Sequence, residues 1–289
     1  MNRLVNQQSN PVPGGTGPGR ELFIYYLKGR LTPDCEKDLD NFLGNWQEEN
    51  DCFLFFSSPA EGQVKILLGY QPQLDYIDSY RMSYDEWLGE VFARFECGRF
   101  CVMPPWQFNR QRADNCAGRL LIQLDPGLVF GTGTHPTTRH CLEALELAAA
   151  CPDVHTVLDL GTGTGLLTLA AARLGCSKIA AVDLNLLAAK TALGNVRLNG
   201  LQKQIVVVQA RAQEAIEYPA DLVIANIHYD VMRHLIDTPG FFAKKRFVLS
   251  GLLRSEAKAI ADRLARPPTR ILKQWTHDGI WHTFYGSIC

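Results

Sequence analysis

Val157–Gly165 reads VLDLGTGTG and runs directly into LLTLAAARLG, residues 166–175. Four residues suited to a buried parallel strand lead into a loop with glycine at every second position, and a helix then opens. Glycine takes backbone conformations closed to other residues and lets the chain approach a ligand closely, and the free N–H groups of a helix start face that ligand. The stretch predicts a nucleotide-type site at the first strand–loop–helix unit of an open α/β sheet.

Downstream the pattern repeats. Lys178–Asp183 reads as a second strand, Leu186–Leu198 as a helix ended by Asn199-Gly200, and Gln204–Ala210 as a third strand. Asp221–Asn226 is a fourth strand, Val231–Ile236 a short helix and Arg246–Ser250 a fifth strand. A helix over Ser255–Arg266 precedes two last strands, Arg270–Thr276 and Ile280–Ser287, which turn at His277-Asp278-Gly279. Such alternation implies a parallel sheet with helices on both faces, and the closing hairpin implies one antiparallel strand. In that architecture the ligand lies at the carboxyl ends of the strands.

The upstream half has a different texture. Residues 1–20 are rich in Gly, Pro, Asn and Gln without periodicity, and are expected to be a flexible tail. Residues 21–80 read as a small α+β unit: a strand at ELFIYYLKG, a helix over PDCEKDLDNFLGNWQ with Thr32 as N-cap, and strands at Phe53–Ser57 and Val64–Tyr70. Residues 81–118 form a linker. Its helix is expected over Tyr84–Phe95, with Trp87, Leu88, Val91, Phe92 and Phe95 as one apolar stripe, and its strand at FCVMPPW. A polar, arginine-containing loop then leads to LLIQLD and the catalytic-type domain, residues 119–289.

Bulk properties narrow the function class. The chain has 289 residues, 46% of them hydrophobic, and a formal net charge of −1, so no polyanion partner or anionic membrane surface is indicated. No apolar run approaches a membrane span, and a cytoplasmic protein is expected. The nine cysteines are odd in number, contain no CxxC pair and are expected to be reduced thiols. No metal is expected either, because His135 has no second ligand at a suitable spacing.

Glycine spacing helps to choose the nucleotide. A dinucleotide site wants GxGxxG, but here the glycines are Gly161, Gly163 and Gly165, and Leu166 occupies the third dinucleotide position. Asp183, ending the second strand, can accept hydrogen bonds from both ribose hydroxyls of any adenosine-type ligand. Asn226 ends the fourth strand, followed by His228 and Tyr229. An amide and backbone carbonyls there can receive an incoming amine and aim its lone pair at a methyl group. Methyl transfer from an activated sulfonium asks the protein mainly for positioning.

These residues carry a family resemblance. Leu124–Leu145, LDPGLVFGTGTHPTTRHCLEAL, resembles the signature that precedes the methyltransferase domain of the ribosomal protein L11 methyltransferase family. The likeness continues through VLDLGTGTG, VDLN, Asn199-Gly200, VIANI, VLSGLL and the terminal strand pair, and so spans Tyr84 to Cys289. It implies a seven-stranded, Rossmann-like class I methyltransferase domain, doubly wound, with a smaller N-terminal α+β domain that presents the substrate. It further implies S-adenosyl-L-methionine as cofactor, contacted by Thr138, Gly161, Asp183 and Asn226 with Phe130, Thr134 and Gly163 beside them. Phe130 can lay an aromatic face near the sulfonium or simply pack in a core. His135 and Pro136 can shape a lid over the cofactor, with Gly131 and Gly133 making the loop mobile.

The chain departs from that pattern in two places. The N-terminal unit is short, and His228-Tyr229 stand where relatives carry small apolar residues, so Asn226-Ile227-His228-Tyr229 suggests an altered acceptor mouth formed by Asn226, His228 and Tyr229. The expected function is methylation of an amino group on a protein, ribosomal protein L11 or a similar one. Two rivals stand beside it: methylation of another acceptor (a different protein, a small amine or a nucleobase), and an adenosine-binding interaction factor without catalysis.

Overall fold

The computed structural model describes residues 3–4, 17–32, 39–89, 91–109, 116 and 118–289. Its elements, in chain order, begin with β1 (Arg3–Leu4), β2 (Glu21–Lys28), β3 (Phe42–Glu48), β4 (Asp51–Phe56), α1 (Glu61–Tyr70), β5 (Asp75–Ser83) and α2 (Tyr84–Leu88). Then come β6 (Phe95–Cys97), β7 (Phe100–Met103), β8 (Leu120–Gln123), α3 (Pro136–Ala149), β9 (Thr156–Leu160), α4 (Leu166–Arg173), β10 (Lys178–Asp183), α5 (Leu186–Leu198) and β11 (Ile205–Gln209). The last are α6 (Ala212–Ala215), β12 (Leu222–Asn226), α7 (Tyr229–Leu235), α8 (Pro239–Phe242), β13 (Arg246–Leu253), α9 (Arg254–Leu264), β14 (Thr269–His277) and β15 (Trp281–Ile288).

The large sheet runs β1-β11-β10-β9-β12-β13-β15-β14. Strands β11, β10, β9, β12 and β13 are parallel, and β15 is antiparallel to both β13 and β14. The expected doubly wound sheet with an antiparallel strand in its closing hairpin is therefore present, and its order reverses between β9 and β12, where a ligand crevice opens. An eighth strand, β1, pairs Arg3 and Leu4 with Gln209 and Val208, so two residues of the expected tail join the sheet edge.

Alternation along β9 splits the core. Val157 packs with Leu142, Leu166, Leu169 and Leu193 on one face, and Leu158 and Leu160 pack with Met232, Phe247 and Ile260 on the other. Burying each such side chain contributes roughly 1.5–3 kcal/mol. This two-sided burial is why the strand reads as a near-continuous apolar run.

In the N-terminal unit four strands pair as β3-β4-β2-β5. Tyr25, Leu27, Leu54 and Phe56 face α1 through Val64 and Leu67, while Leu22, Ile24, Leu43 and Phe55 face Leu128, Val129 and Leu187 of the larger domain. Three sequence expectations are corrected here. Phe42–Glu48 is a strand, not the end of a helix, because it pairs with β4 in a hairpin whose turn residue Glu49 takes φ 48°; residues 33–38 of the helix expected over 33–47 lie outside the described residues. Val64–Tyr70 belongs to a helix, whose apolar contacts fall three residues apart at Val64 and Leu67. The helix begun at Tyr84 stops at Leu88, closed by Gly89 in the left-handed conformation, φ 74°, so Phe95 belongs to a strand.

Strands β6, β7 and β8 form a third, small sheet. Cys101 on β7 and Cys116 stand with Cα atoms 6.0 Å apart and form a disulfide, which corrects the expectation of reduced thiols throughout. Cys52, Cys97, Cys141, Cys151, Cys176 and Cys289 form no disulfide among the described residues, and Cys35 lies outside them. No helix among the described residues is long and apolar enough to cross a membrane.

Candidate active site

The glycine loop follows β9, and Gly161, Gly163 and Gly165 all have positive φ, at 74°, 55° and 84°. At two of them close approach adds to conformation: a Cβ on Gly161 would sit 2.3 Å from Ile227 Cγ2, and one on Gly163 would sit 2.4 Å from the Phe130 carbonyl oxygen. The loop is anchored from below. The Gly161 and Thr162 amides donate to the Val182 carbonyl at 2.8 and 3.0 Å. Beneath them, buried Asp159 accepts from the hydroxyls of Thr162 and Thr168 at 2.7 and 2.6 Å. Burial pushes the Asp159 carboxyl up to about 6 even though those hydroxyls favour its charged form.

Asp183 ends β10 and faces the loop. Its Oδ2 accepts from the Gly163 amide at 3.0 Å and its Oδ1 from the Asn185 amide at 2.9 Å. Burial raises its pKa, and these amide donors work against that rise. Each carboxylate oxygen offers two acceptor sites, so both retain capacity for a hydroxyl pair. Asn185 in turn caps α5, its Oδ1 accepting from the Leu187 amide at 2.8 Å.

The segment Phe130–Thr134 lies across the front. Phe130 accepts from the Thr164 amide through its carbonyl at 3.1 Å, and Thr164 Oγ1 donates to the Gly131 carbonyl at 2.6 Å. The Phe130 ring is 85% exposed, far from a core position. Thr134 Oγ1 pairs with Thr132 Oγ1 at 2.7 Å. The expected lid takes another form: His135 is the N-cap of α3, its Nδ1 accepting from the Thr137 amide at 3.4 Å, and Pro136 is the first helical residue. The helix thus begins directly after the loop that carries Gly131 and Gly133, and that loop is tied to Thr164.

The third wall comes from β12 and β13. Asn226 pairs in register with Ser250, so both side chains leave the sheet on one face. Ser250 Oγ reaches the Thr137 carbonyl at 3.3 Å and Thr283 Oγ1 at 2.6 Å, which ties the first turn of α3, where Thr138 is buried, to β13 and β15, the former being the strand that pairs with β12. Gly251, φ 85°, lies at an irregularity of β13, and a Cβ there would stand 3.0 Å from Asn226 Oδ1. Among the described residues the Asn226 carboxamide has no hydrogen-bond partner. His228 is exposed and Tyr229 half-buried, its ring packed against the helical cluster with the Arg233 guanidinium 6.0 Å away.

Direct contacts therefore join Gly163, Asp183 and Phe130, with Gly161 two residues earlier in the same loop, and a hydrogen-bonded bridge through Ser250 joins the turn of Thr138 to β13, the strand that pairs with that of Asn226. Sequence reasoning missed Asp159, Thr164 and Gly251. The alternation of β9 signals Asp159 as a polar residue inside an apolar strand, whereas nothing local in the sequence points Thr164 at Gly131.

Residues 79–287 match the family model of ribosomal protein L11 methyltransferase (PrmA). The chain belongs to the ribosomal protein L11 methyltransferase family. Curated ribosomal protein L11 methyltransferases of Bacillus cytotoxicus and Bacillus cereus are each 37% identical to it over 169 residues, 58% of this chain and 53% of the relative. The chain thus spans about half the length of these relatives. A crystal structure of ribosomal protein L11 methylase from Lactobacillus delbrueckii subsp. bulgaricus superposes with a TM-score of 0.59 at 26% identity, covering 68% of this chain and 99% of that one. Family membership rests on residues 79–287, which carry the three walls of the site. Residues 17–78, with β2, β3, β4 and α1, fall outside the family match.

Proposed function

We propose that the chain is an S-adenosylmethionine-dependent methyltransferase acting on an amino group of a protein, ribosomal protein L11 or one similar to it. The observation that carries this reading is the convergence of Gly163, Asp183 and the Phe130 loop at the crevice whose far wall ends in the unpartnered Asn226 carboxamide. The residues fit the cofactor: a glycine loop whose Gly163 lies so close to the Phe130 carbonyl that no Cβ fits between them, a carboxylate for ribose hydroxyls, and an exposed aromatic face. Attraction between a sulfonium and the Phe130 ring is of order 0.5–2 kcal/mol. When bound, the cofactor supplies a methyl group already activated for displacement.

The chain's own residues then have three tasks. Asp183 and the glycine loop hold the adenosine end, with Phe130, Thr134 and Thr138 closing the front. Asn226 orients the acceptor by accepting an N–H from the incoming amine. A lysine must arrive neutral, against a reference pKa of about 10.4, and desolvation in the closed crevice favours that form. His228 and Tyr229 stand at the acceptor side of Asn226 and are proposed to select what enters.

One observation favours a second reading, in which the acceptor differs from that of the family: the family match begins only at residue 79, so β2, β3, β4 and α1 of the N-terminal unit lie outside it. Incubation with methyl-labelled cofactor, first with ribosomal proteins and then with whole lysate, separates the readings. Label on L11 supports the leading reading, label elsewhere the second, and no label in either contradicts both.

A further inference from the structure

The Phe130 loop is gripped from two sides. On one side Thr164 binds the Phe130 and Gly131 carbonyls. On the other, the Tyr84 hydroxyl donates to the Gly127 carbonyl at 2.8 Å and Trp87 Nε1 donates to the Leu128 carbonyl at 3.4 Å. Both side chains come from α2, a single turn whose ends are fixed. At its start Ser83 Oγ accepts from the Glu86 amide at 3.2 Å while Glu86 Oε2 accepts from the Ser83 amide at 2.6 Å, and at its end stands left-handed Gly89.

The N-terminal sheet stands behind this turn. The Tyr84 amide donates to the Arg20 carbonyl at 2.8 Å, and the Phe55 ring meets Trp87 edge-on with centroids 4.9 Å apart. Leu128 and Val129 share one core with Leu22, Ile24 and Leu43. Gly44 of β3 lies so close to Leu187 of α5 that a Cβ would come within 2.4 Å of Leu187 Cδ1. An unbroken path of contacts thus runs from the N-terminal sheet through α2 to Gly127–Leu128, and from there to Phe130, Gly131 and the glycine loop.

We infer that Tyr84 and Trp87 are positioning residues of the crevice: they fix the Gly127 and Leu128 carbonyls and thereby where the Phe130 loop meets Thr164. The inference rests on the functional reading only for the identity of the ligand. A segment with glycine at 127, 131 and 133 is costly to order, and fixing its carbonyls beforehand removes that cost from ligand binding. The coupling is reciprocal, so a ligand that orders the Phe130 loop also tightens the docking of the N-terminal sheet.

Tyr84→Phe deletes only the hydroxyl, and Trp87→Phe only the ring N–H and part of the ring. Hydrogen–deuterium exchange of a peptide covering residues 124–134 and calorimetric affinity for S-adenosylmethionine test the role in the full chain. Each variant is expected to speed exchange in that peptide and to weaken cofactor binding about two- to tenfold, the range of a single hydrogen bond. Val64→Ala, in the core between α1 and the far face of the N-terminal sheet, serves as the stability control and is expected to lower the unfolding midpoint without moving either readout. Unchanged exchange in both variants, or an equal change in Val64→Ala, overturns the inference. If exchange responds as expected but the unsubstituted protein does not bind S-adenosylmethionine, the functional reading fails and the positioning role stands.

Discussion

The carboxylate of Asp183 accepts a hydrogen bond from the Gly163 amide at 3.0 Å, which makes the end of β10 and the middle of the glycine loop one unit. A substitution at either residue therefore acts on both. Asp183→Asn keeps the shape but loses the charge that binds the Gly163 amide and, in the proposed function, the ribose hydroxyls. Hydrogen bonds to charged groups contribute about 1.5–3 kcal/mol, or roughly 10- to 150-fold. Calorimetry should show S-adenosylmethionine affinity lowered within that range, and an unaltered dissociation constant refutes the ribose contact.

Gly163→Ala probes the contact between the two loops. A Cβ there meets the Phe130 carbonyl oxygen at 2.4 Å on a backbone with φ 55°, so both strain and clash push the Phe130 loop outward. Cofactor affinity is expected to fall at least about tenfold, since a left-handed non-glycine residue and a displaced loop each cost on the order of 1 kcal/mol. Thr164→Val, which removes the donor to the Gly131 carbonyl at 2.6 Å and the acceptor of the Leu166 amide at 3.4 Å, should weaken binding less, by about two- to tenfold. The opposite order of severity would count against the clamp.

Asp159 sets a pH dependence of stability. Its carboxyl is raised by burial from 3.8 to about 6, so between those values the folded state binds more protons than the unfolded one. Stability from this group is accordingly greatest below about pH 4 and is lost as pH rises through about 6. Asp221 acts in the opposite sense. Burial pushes it upward, but Lys245, Thr156 and the His155 amide outweigh burial and hold it below the usual carboxylate range, so its contribution is lost only in acid. Denaturant unfolding at pH 4.5 and 7.5 should show that Asp159→Asn gains stability relative to the unsubstituted protein at the higher pH. Parallel pH profiles for the two proteins would remove Asp159 from the account.

The sheet and one wall of the site were legible because their determinants are local. Strands β9 to β13 are short apolar runs bounded by Gly, Asn and Asp, and a glycine-rich loop after a buried strand has few other uses. The N-terminal unit was harder for a physical reason. VKILLGY is apolar enough for a strand, and only the contacts of Val64 and Leu67 with the sheet make it a helix. FLGNWQE has no strong alternation, because its register is set by pairing with β4. In the site, Thr164 and Gly251 act on residues 33 and 25 positions away, Gly131 and Asn226, and a spacing of that kind leaves no periodic trace. The disulfide between Cys101 and Cys116 is likewise a product of the small sheet rather than of a motif.

The most direct test is quantitative methyl transfer by the unsubstituted protein and by Asn226→Ala, each with labelled S-adenosylmethionine and ribosomal protein L11, with the labelled atom located by mass spectrometry. In the proposed function Asn226 orients the acceptor, and among the described residues its carboxamide has no hydrogen-bond partner. The account predicts label on an amino nitrogen with the unsubstituted protein, and in Asn226→Ala a turnover lowered at least about 100-fold while cofactor affinity stays within a few-fold, since lost orientation alone can cost that much. Equal turnover in the two proteins, or label on a carbon or oxygen atom, would contradict it.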